Sequence, residues 1–206
     1  MHDFVQRLRK TRVLPVIEIE DAGAAAALAG VLAQGGVGAI EFTLRTPAAL
    51  AALEAAKRAE PSLLAGMGTV VDEDGARRAV DAGADFLVTP GATAELLDAL
   101  VKLGVPFLPG VATASEAMAA RAHGVSFLKF FPAEPAGGLA YLKALAGPFP
   151  DLRFCPTGGI TAEAAPNYLA LQNVVCVGGS WIAPKELIAR KDWRAIEANA
   201  RRASGL

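Results

Sequence analysis

The sequence predicts an α/β protein, a closed (β/α)8 barrel in a single domain spanning residues 1–206. Three observations carry that prediction. Eight short apolar bursts begin roughly 20 to 26 residues apart, the spacing of strand-plus-helix units. Alanine-, leucine- and charge-rich segments with helical periodicity lie between them. The turn after the first burst holds Glu20-Asp21, where an open doubly wound sheet would need a glycine-rich phosphate turn.

The bursts are Val13–Ile19, Ala39–Arg45, Leu63–Val70, Phe86–Pro90, Pro106–Val111, Phe127–Pro132, Arg153–Ile160 and Val174–Ile182. A first helical segment, Ala22–Ala33, is closed by Gly35-Gly36. A second, Pro47–Ala59, opens with Thr46 before a proline suited to the first helical turn. Asp72 before Glu73 starts the third, Asp72–Ala82, and Gly83 stops it. Thr93 before Glu95 and Thr161 before Glu163 mark further starts, with Gly104 and Gly124 as further stops. No linker or low-complexity run breaks the series. The length sits at the low end for this fold, so insertions must be few.

Composition narrows the function. The chain is 53% hydrophobic and 20% charged, enough for one sizeable core. A formal net charge of −1 gives no field to attract nucleic acid or an anionic membrane. No apolar stretch approaches the ~20 residues that span a bilayer. Met1 to Arg12 is charged and lacks the apolar core of a signal peptide, so a cytoplasmic protein is expected. Cys155 and Cys176 are too few for a disulfide framework, lack metal-ligand spacing and read as core thiols. His2 in the N-terminal tail and His123 before Gly124 are given no catalytic role, and Trp181 and Trp193 read as packing or interface residues.

Strand alternation locates the unusual polar residues. One face of a barrel strand meets the helices and the other fills the interior. In Ile40-Glu41-Phe42-Thr43-Leu44-Arg45 the even positions are apolar, so Glu41, Thr43 and Arg45 point inward, Arg45 at the C-terminal rim. Three inward polar residues are costly unless paired or used, and barrel active sites form at the C-terminal ends of strands. A self-satisfying Glu–Arg pair is the alternative.

Lys129 alone among the lysines lies inside an uninterrupted apolar burst, Phe127-Leu128-Lys129-Phe130-Phe131-Pro132. Leu128 and Phe130 share one face; Phe127, Lys129 and Phe131 share the other, toward the interior. Desolvation penalises a buried ammonium and favours the neutral amine, the form a Schiff-base nucleophile needs. A lysine that snorkels to the rim or pairs with Glu41 would need no chemistry. With Glu41 and Arg45 also inward, chemistry is favoured.

Thr157-Gly158-Gly159-Ile160-Thr161 ends the seventh burst and Gly178-Gly179-Ser180 the eighth. Glycines there let backbone N–H groups approach an anion, and Ser180 adds a hydroxyl donor. One Gly-Gly pair could be a tight turn. Two in consecutive repeats, after strands seven and eight where barrels commonly bind phosphate, argue for a phosphate site.

Together these segments resemble the 2-keto-3-deoxy-6-phosphogluconate (KDPG) aldolases, also called 4-hydroxy-2-oxoglutarate (KHG) aldolases. The resemblance rests on Glu41-Phe42-Thr43-Leu44-Arg45-Thr46, Gly66-Met67-Gly68-Thr69-Val70, Thr89-Pro90-Gly91, Lys129-Phe130-Phe131-Pro132-Ala133-Glu134, Phe154-Cys155-Pro156-Thr157-Gly158-Gly159-Ile160 and Gly178-Gly179-Ser180-Trp181. They run in family order over nearly the whole chain. Met67 stands where alanine is usual and Thr89 where serine often sits, and neither departure removes a functional side chain.

The resemblance implies a TIM-type (β/α)8 barrel, a homotrimer, and no metal or organic cofactor. It implies a class I aldolase that cleaves KDPG to pyruvate and glyceraldehyde 3-phosphate, and KHG to pyruvate and glyoxylate. Residue by residue, it implies Lys129 as the Schiff-base lysine and Glu41 as the acid/base. Arg45 and Thr69 would hold the pyruvate carboxylate, Pro90 and Phe131 would line that pocket, and Thr157, Gly158, Gly159 and Ser180 would bind phosphate. The expected partner is a phosphorylated 2-keto acid, with no nucleic acid and no membrane. The sister aldolase for the galactonate epimer often has asparagine for the arginine of the second-strand motif and Thr-Pro-Asn for Thr-Pro-Gly; Arg45 and Gly91 favour the gluconate side. A phosphosugar isomerase or epimerase would share the glycine loops but would not need Lys129 in an apolar burst. A non-enzymatic phosphometabolite sensor would bury Glu, Lys and Arg at high cost merely to bind.

Overall fold

Short parallel strands alternate with helices along a computed structural model that describes residues 2–206. The strand segments are β1 (Val13–Ile17), β2 (Ala39–Thr43), β3 (Leu64–Gly68), β4 (Phe86–Val88), β5 (Phe107–Leu108), β6 (Gly110–Val111), β7 (Phe127–Phe130), β8 (Arg153–Pro156) and β9 (Val177–Gly179). The α-helices are α1 (His2–Thr11), α2 (Ala25–Gln34), α3 (Ala49–Ala59), α4 (Glu73–Asp81), α5 (Ala94–Leu103), α6 (Ala114–Ala122), α7 (Gly138–Leu145), α8 (Ala165–Leu169), α9 (Lys185–Ala189) and α10 (Trp193–Ser204). One sheet runs β5-β4-β3-β2-β1-β9 and a second runs β6-β7-β8. Single bridges, Phe154 with Val174 and Thr157 with Gly178, link the β8 and β9 segments.

The strands are shorter than the apolar bursts, and the fifth burst is two strands rather than one. Pro109 divides it, since proline offers no N–H to a ladder. The Pro109 carbonyl still accepts from the Lys129 N–H (3.0 Å), and the Gly110 N–H turns to Thr89 Oγ1 (3.0 Å). Arg45, Thr69, Pro90, Phe131, Thr157 and Ser180 all fall just past the C-terminal ends of their strands.

Helix boundaries follow local hydrogen bonding. Asp72 Oδ1 accepts from the Gly75 N–H (2.7 Å) and Thr93 Oγ1 from the Leu96 N–H (3.3 Å), the expected caps. Gly104 closes α5 in the left-handed region (φ +71°). Thr161 caps a turn by accepting from the Ala164 N–H (3.3 Å), just ahead of α8. Thr46 does not cap: its hydroxyl donates to the Ile19 carbonyl (2.5 Å), and α3 begins only at Ala49. A reciprocal Thr113–Glu116 capping box starts α6 and was legible as Thr-x-x-Glu.

Two apolar layers result. Ile40, Phe42, Leu128 and Phe130 belong to the large outer cluster between strands and helices. Leu14, Ala39, Phe86, Val88, Leu108, Phe127, Cys155, Val175 and Cys176 form an inner cluster with Phe4 and Leu8 of α1. The first residues of the chain, read from sequence as a charged tail, are therefore a helix. Phe4 and Leu8 are four apart and share one face. Leu14, Ala39, Phe86 and Phe127 lie at or next to the first positions of their strands, so α1 covers the N-terminal ends and leaves the C-terminal ends open.

The Phe4 ring lies 5.2 Å from Phe86 and 6.3 Å from Phe127, centroid to centroid. Phe4→Ala should lower unfolding free energy by about 3 kcal/mol, the cost of an aromatic deletion from a core. Urea unfolding measures it, and an unchanged midpoint would contradict the plug.

Candidate active site

The centre of the site is a crossing pair on non-adjacent strands. Lys129 is the third residue of β7 and Glu41 the third of β2, and both face inward. Lys129 Nζ donates to Glu41 Oε1 at 3.2 Å, with side chains 6% and 1% exposed. Nζ also lies 5.2 Å from the centre of the Phe131 ring. Thr43, the other inward polar residue of β2, donates to the Ile17 carbonyl (3.1 Å) and is satisfied there.

A glycine makes the pair possible. On β3, beside β2, a Cβ at Gly68 would lie 2.0 Å from Glu41 Oε1. The Glu41 carboxylate occupies the space that any other residue at 68 would fill. Below it, burial, the Cys155 thiol and the Glu41 charge act on Cys176. The hydrogen bond with Cys155 is the largest of these, and together they push the Cys176 thiol up; both cysteines are buried packing groups, as expected.

Arg45 stands at the C-terminal rim on the same side as Lys129, as expected, but not by strand alternation. β2 ends at Thr43, so Arg45 leaves the strand alternation and sits in the following turn, 46% exposed. Its Nε donates to Thr69 Oγ1 (3.0 Å), and Nη1 lies 3.6 Å from Glu18 Oε2. Thr69 has φ +59°, a left-handed backbone that β-branched residues rarely adopt. Such strain costs about 1–3 kcal/mol and clusters at functional sites.

Arg45, Lys129, Phe131, Thr157, Gly158, Gly159 and Ser180 line a cavity of about 170 Å³. Glu41 is in contact with Lys129 and Thr69 with Arg45, but neither is among the lining residues. Pro90 is half-buried, outside that lining, its carbonyl held against Gly110, where a Cβ would approach to 2.2 Å. Gly158 and Gly159 have φ +105° and +82°, which a side chain would strain. Among the described residues, neither of their N–H groups donates to a backbone acceptor.

That loop is laced to the chain following Lys129. The Ala133 N–H donates to the Thr157 carbonyl (2.8 Å) and the Glu134 N–H to the Gly158 carbonyl (3.0 Å). Tyr168, fully buried on α8, donates to Glu134 Oε1 at 2.5 Å; burial first, then this glutamate, push its phenol well above the ordinary range. Gly68, Glu134 and Tyr168 were given no individual role by the sequence reading, because their contacts join segments distant in the chain. Glu18 carried a legible signal, a charge between Ile17 and Ile19 inside the first burst. Among the described residues no group of three or more His, Cys, Asp or Glu side chains could hold a metal, and no helix is long and apolar enough to cross a membrane.

Gly68→Ala should displace the Glu41 carboxylate and lower kcat by roughly 10²-fold, the effect of an ångström-scale misplacement. Wild-type turnover in that variant, measured with folding verified by circular dichroism, would show that the placement of Glu41 is immaterial.

The family model for KDPG and KHG aldolase matches residues 4–199. The 2-dehydro-3-deoxy-phosphogluconate aldolase of Pseudomonas aeruginosa is 49% identical, over 98% of this chain and 96% of its own length. The KDPG aldolase of Legionella pneumophila, solved with pyruvate captured at low pH as a covalent carbinolamine intermediate, superposes with a TM-score of 0.93. It is 44% identical, over 96% of both chains. The Zymomonas mobilis KDPG aldolase solved with 3-phosphoglycerate gives a TM-score of 0.89 at 44% identity, over 98% of this chain and 94% of that one. The chain belongs to the KDPG and KHG aldolase family.

Proposed function

We propose that this chain is a class I aldolase that cleaves KDPG to pyruvate and glyceraldehyde 3-phosphate, and KHG to pyruvate and glyoxylate. The observation that carries the reading is Lys129 Nζ, buried, 3.2 Å from Glu41, at the wall of a cavity that ends in the two glycine loops. The direct hydrogen bond gives the proton on Lys129 a route to Glu41 before the amine attacks. The neutral amine adds to the C2 ketone to give a carbinolamine; Glu41 returns the proton to its hydroxyl, which leaves as water, so that a protonated imine remains and Glu41 is again a carboxylate. That cation is an electron sink. Glu41, through a water, takes the C4 hydroxyl proton; the C3–C4 bond breaks, its electrons pass into an enamine, and the aldehyde leaves. Protonation at C3 and hydrolysis release pyruvate and restore Lys129.

Arg45, oriented by Thr69, presents a fork of donors to the substrate carboxylate. Phe131 and Pro90 bound that end, and Thr157, Gly158, Gly159 and Ser180 receive the phosphate. The same reading takes the strands as one closed eight-membered barrel. It is supported by the β1–β9 pairing, the Thr157–Gly178 bridge, and the continuation of β5 into β6 through Pro109. It carries a single domain over 1–206, a cytoplasmic homotrimer and no cofactor.

Product analysis with both C4 epimers of the substrate tests the reaction and its selectivity together; pyruvate from the gluconate epimer is expected. Lys129→Arg keeps a positive partner for Glu41 but cannot deprotonate, so this variant should fold and make no product. Substantial turnover would sink the Schiff-base reading.

The phosphate assignment predicts a selective loss. Ser180→Ala should weaken KDPG by about 0.5–3 kcal/mol in kcat/KM, the range for one hydrogen bond including those to charged groups. Gly159→Val should cost more, since its side chain would occupy the space where the anion meets the backbone, beside Glu134 at 2.9 Å. KHG should suffer much less in both. Equal losses on the two substrates would place the phosphate elsewhere.

A further inference from the structure

The cavity beside Lys129 continues outward. A second cavity of about 340 Å³ shares Val16, Arg45 and Ser180 with it, and Glu18, Trp181 and Lys185 help form the outer wall. Thr157, Gly158, Gly159 and Ser180 carry no charge, so a phosphate dianion held by them alone would meet only dipoles. Arg45 faces both cavities, but its Nε is engaged by Thr69 and Nη1 lies 3.6 Å from Glu18. Lys185 is the cation on the Ser180 side, five residues further on, at the start of α9.

Its present partner holds it loosely. Lys185 Nζ donates to Glu18 Oε1, with side chains 55% and 23% exposed. Lys185 first, then Arg45, hold the Glu18 carboxyl below its usual range against the opposing effect of burial, so Glu18 is an anion at neutral pH. Glu186 also lines this cavity and tempers its positive field. A surface Glu–Lys pair whose lysine is exposed is weak. A phosphate monoester offers close to two charges and three acceptor oxygens. The lysine stem is flexible enough to swing from one to the other.

We propose that Lys185 is a phosphate-recruiting residue. It rests on Glu18 in the free protein and transfers its ammonium to the phosphate when the ester enters past Ser180. It thereby sets this chain's preference for phosphorylated over unphosphorylated sugar acids. The proposal rests on the phosphate-loop reading above.

The test compares KDPG with 2-keto-3-deoxygluconate, which differs only in lacking the phosphate. Lys185→Met should raise KM for KDPG about three- to tenfold, the span of a partly screened charge-assisted contact. It should leave kcat and all constants for the unphosphorylated acid unchanged, and flatten the rise of KM with salt. Lys185→Arg should restore most of the loss. Glu18→Gln should lower KM for KDPG more in the native background than in Lys185→Met, where only the lost repulsion of the carboxylate and the release of Arg45 remain. A normal KDPG KM in Lys185→Met, alongside a selective loss in Ser180→Ala, would overturn the role of Lys185 and leave the phosphate loops standing. Loss on both substrates alike would also overturn it, making Lys185 a structural tie. If Ser180→Ala and Gly159→Val show no selective loss, the phosphate-loop reading itself falls, and this proposal with it.

Discussion

Lys129 and Glu41 face each other across the interior, 3.2 Å apart and almost wholly buried, and the surrounding residues are arranged around that constraint. A single buried ion costs several kcal/mol, and removing one member of a buried pair costs about 3–5 kcal/mol. The pair is tolerable only because each supplies the other's partner, from β7 and β2. Gly68 vacates the space the carboxylate needs. Below lie two buried thiols and the aromatic cluster of Phe4, Phe86 and Phe127, closed from beneath by α1. Apolar residues of similar volume would be equally stable in such a place. Retaining a lysine and a glutamate there is better explained by chemistry than by folding.

The proposed site divides its labour between rigid and adaptable parts. The reacting pair stands on strands, where ladder hydrogen bonds and two packed layers fix the backbone. The proposed anion-binding groups stand on the loops that follow β2, β3, β8 and β9. Those loops are not free: Ala133 and Glu134 are bonded to Thr157 and Gly158, and Tyr168 anchors Glu134 from below. The two ends of a substrate would therefore meet surfaces that are tied to one another. Exposed Lys185 and half-buried Glu18 form the outer fringe, where a change of partner is least costly.

Much of this was legible in the sequence, and for identifiable reasons. Alternation across Ile40–Thr43 and Phe127–Phe130 assigns the faces correctly, because a pleated strand cannot do otherwise. It stops at Thr43, and Arg45 reaches the cavity rim from the turn beyond, so its place there matches the expectation without following from the pleat. The Pro109 break was concealed by continuous hydrophobicity in the fifth burst. The N-terminal helix was concealed by its charge, although Phe4 and Leu8 lie one turn apart. Gly68, Tyr168 and the Glu18–Lys185 pair acquire meaning only through partners distant in the chain, 27 or more residues away in each case. The sequence motif Gly66-Met67-Gly68-Thr69 marked the place, but not that the missing side chain makes room for Glu41.

The central claim is that Lys129 is the nucleophile, and covalent capture tests it most directly. The protein is incubated with pyruvate, reduced with borohydride, and mapped by peptide mass spectrometry. The account predicts one adduct, a gain of pyruvate less water plus two hydrogens, on the peptide carrying Lys129 and absent from Lys129→Arg. An adduct on a different lysine, or none on Lys129 while the protein still cleaves its substrate, would contradict it.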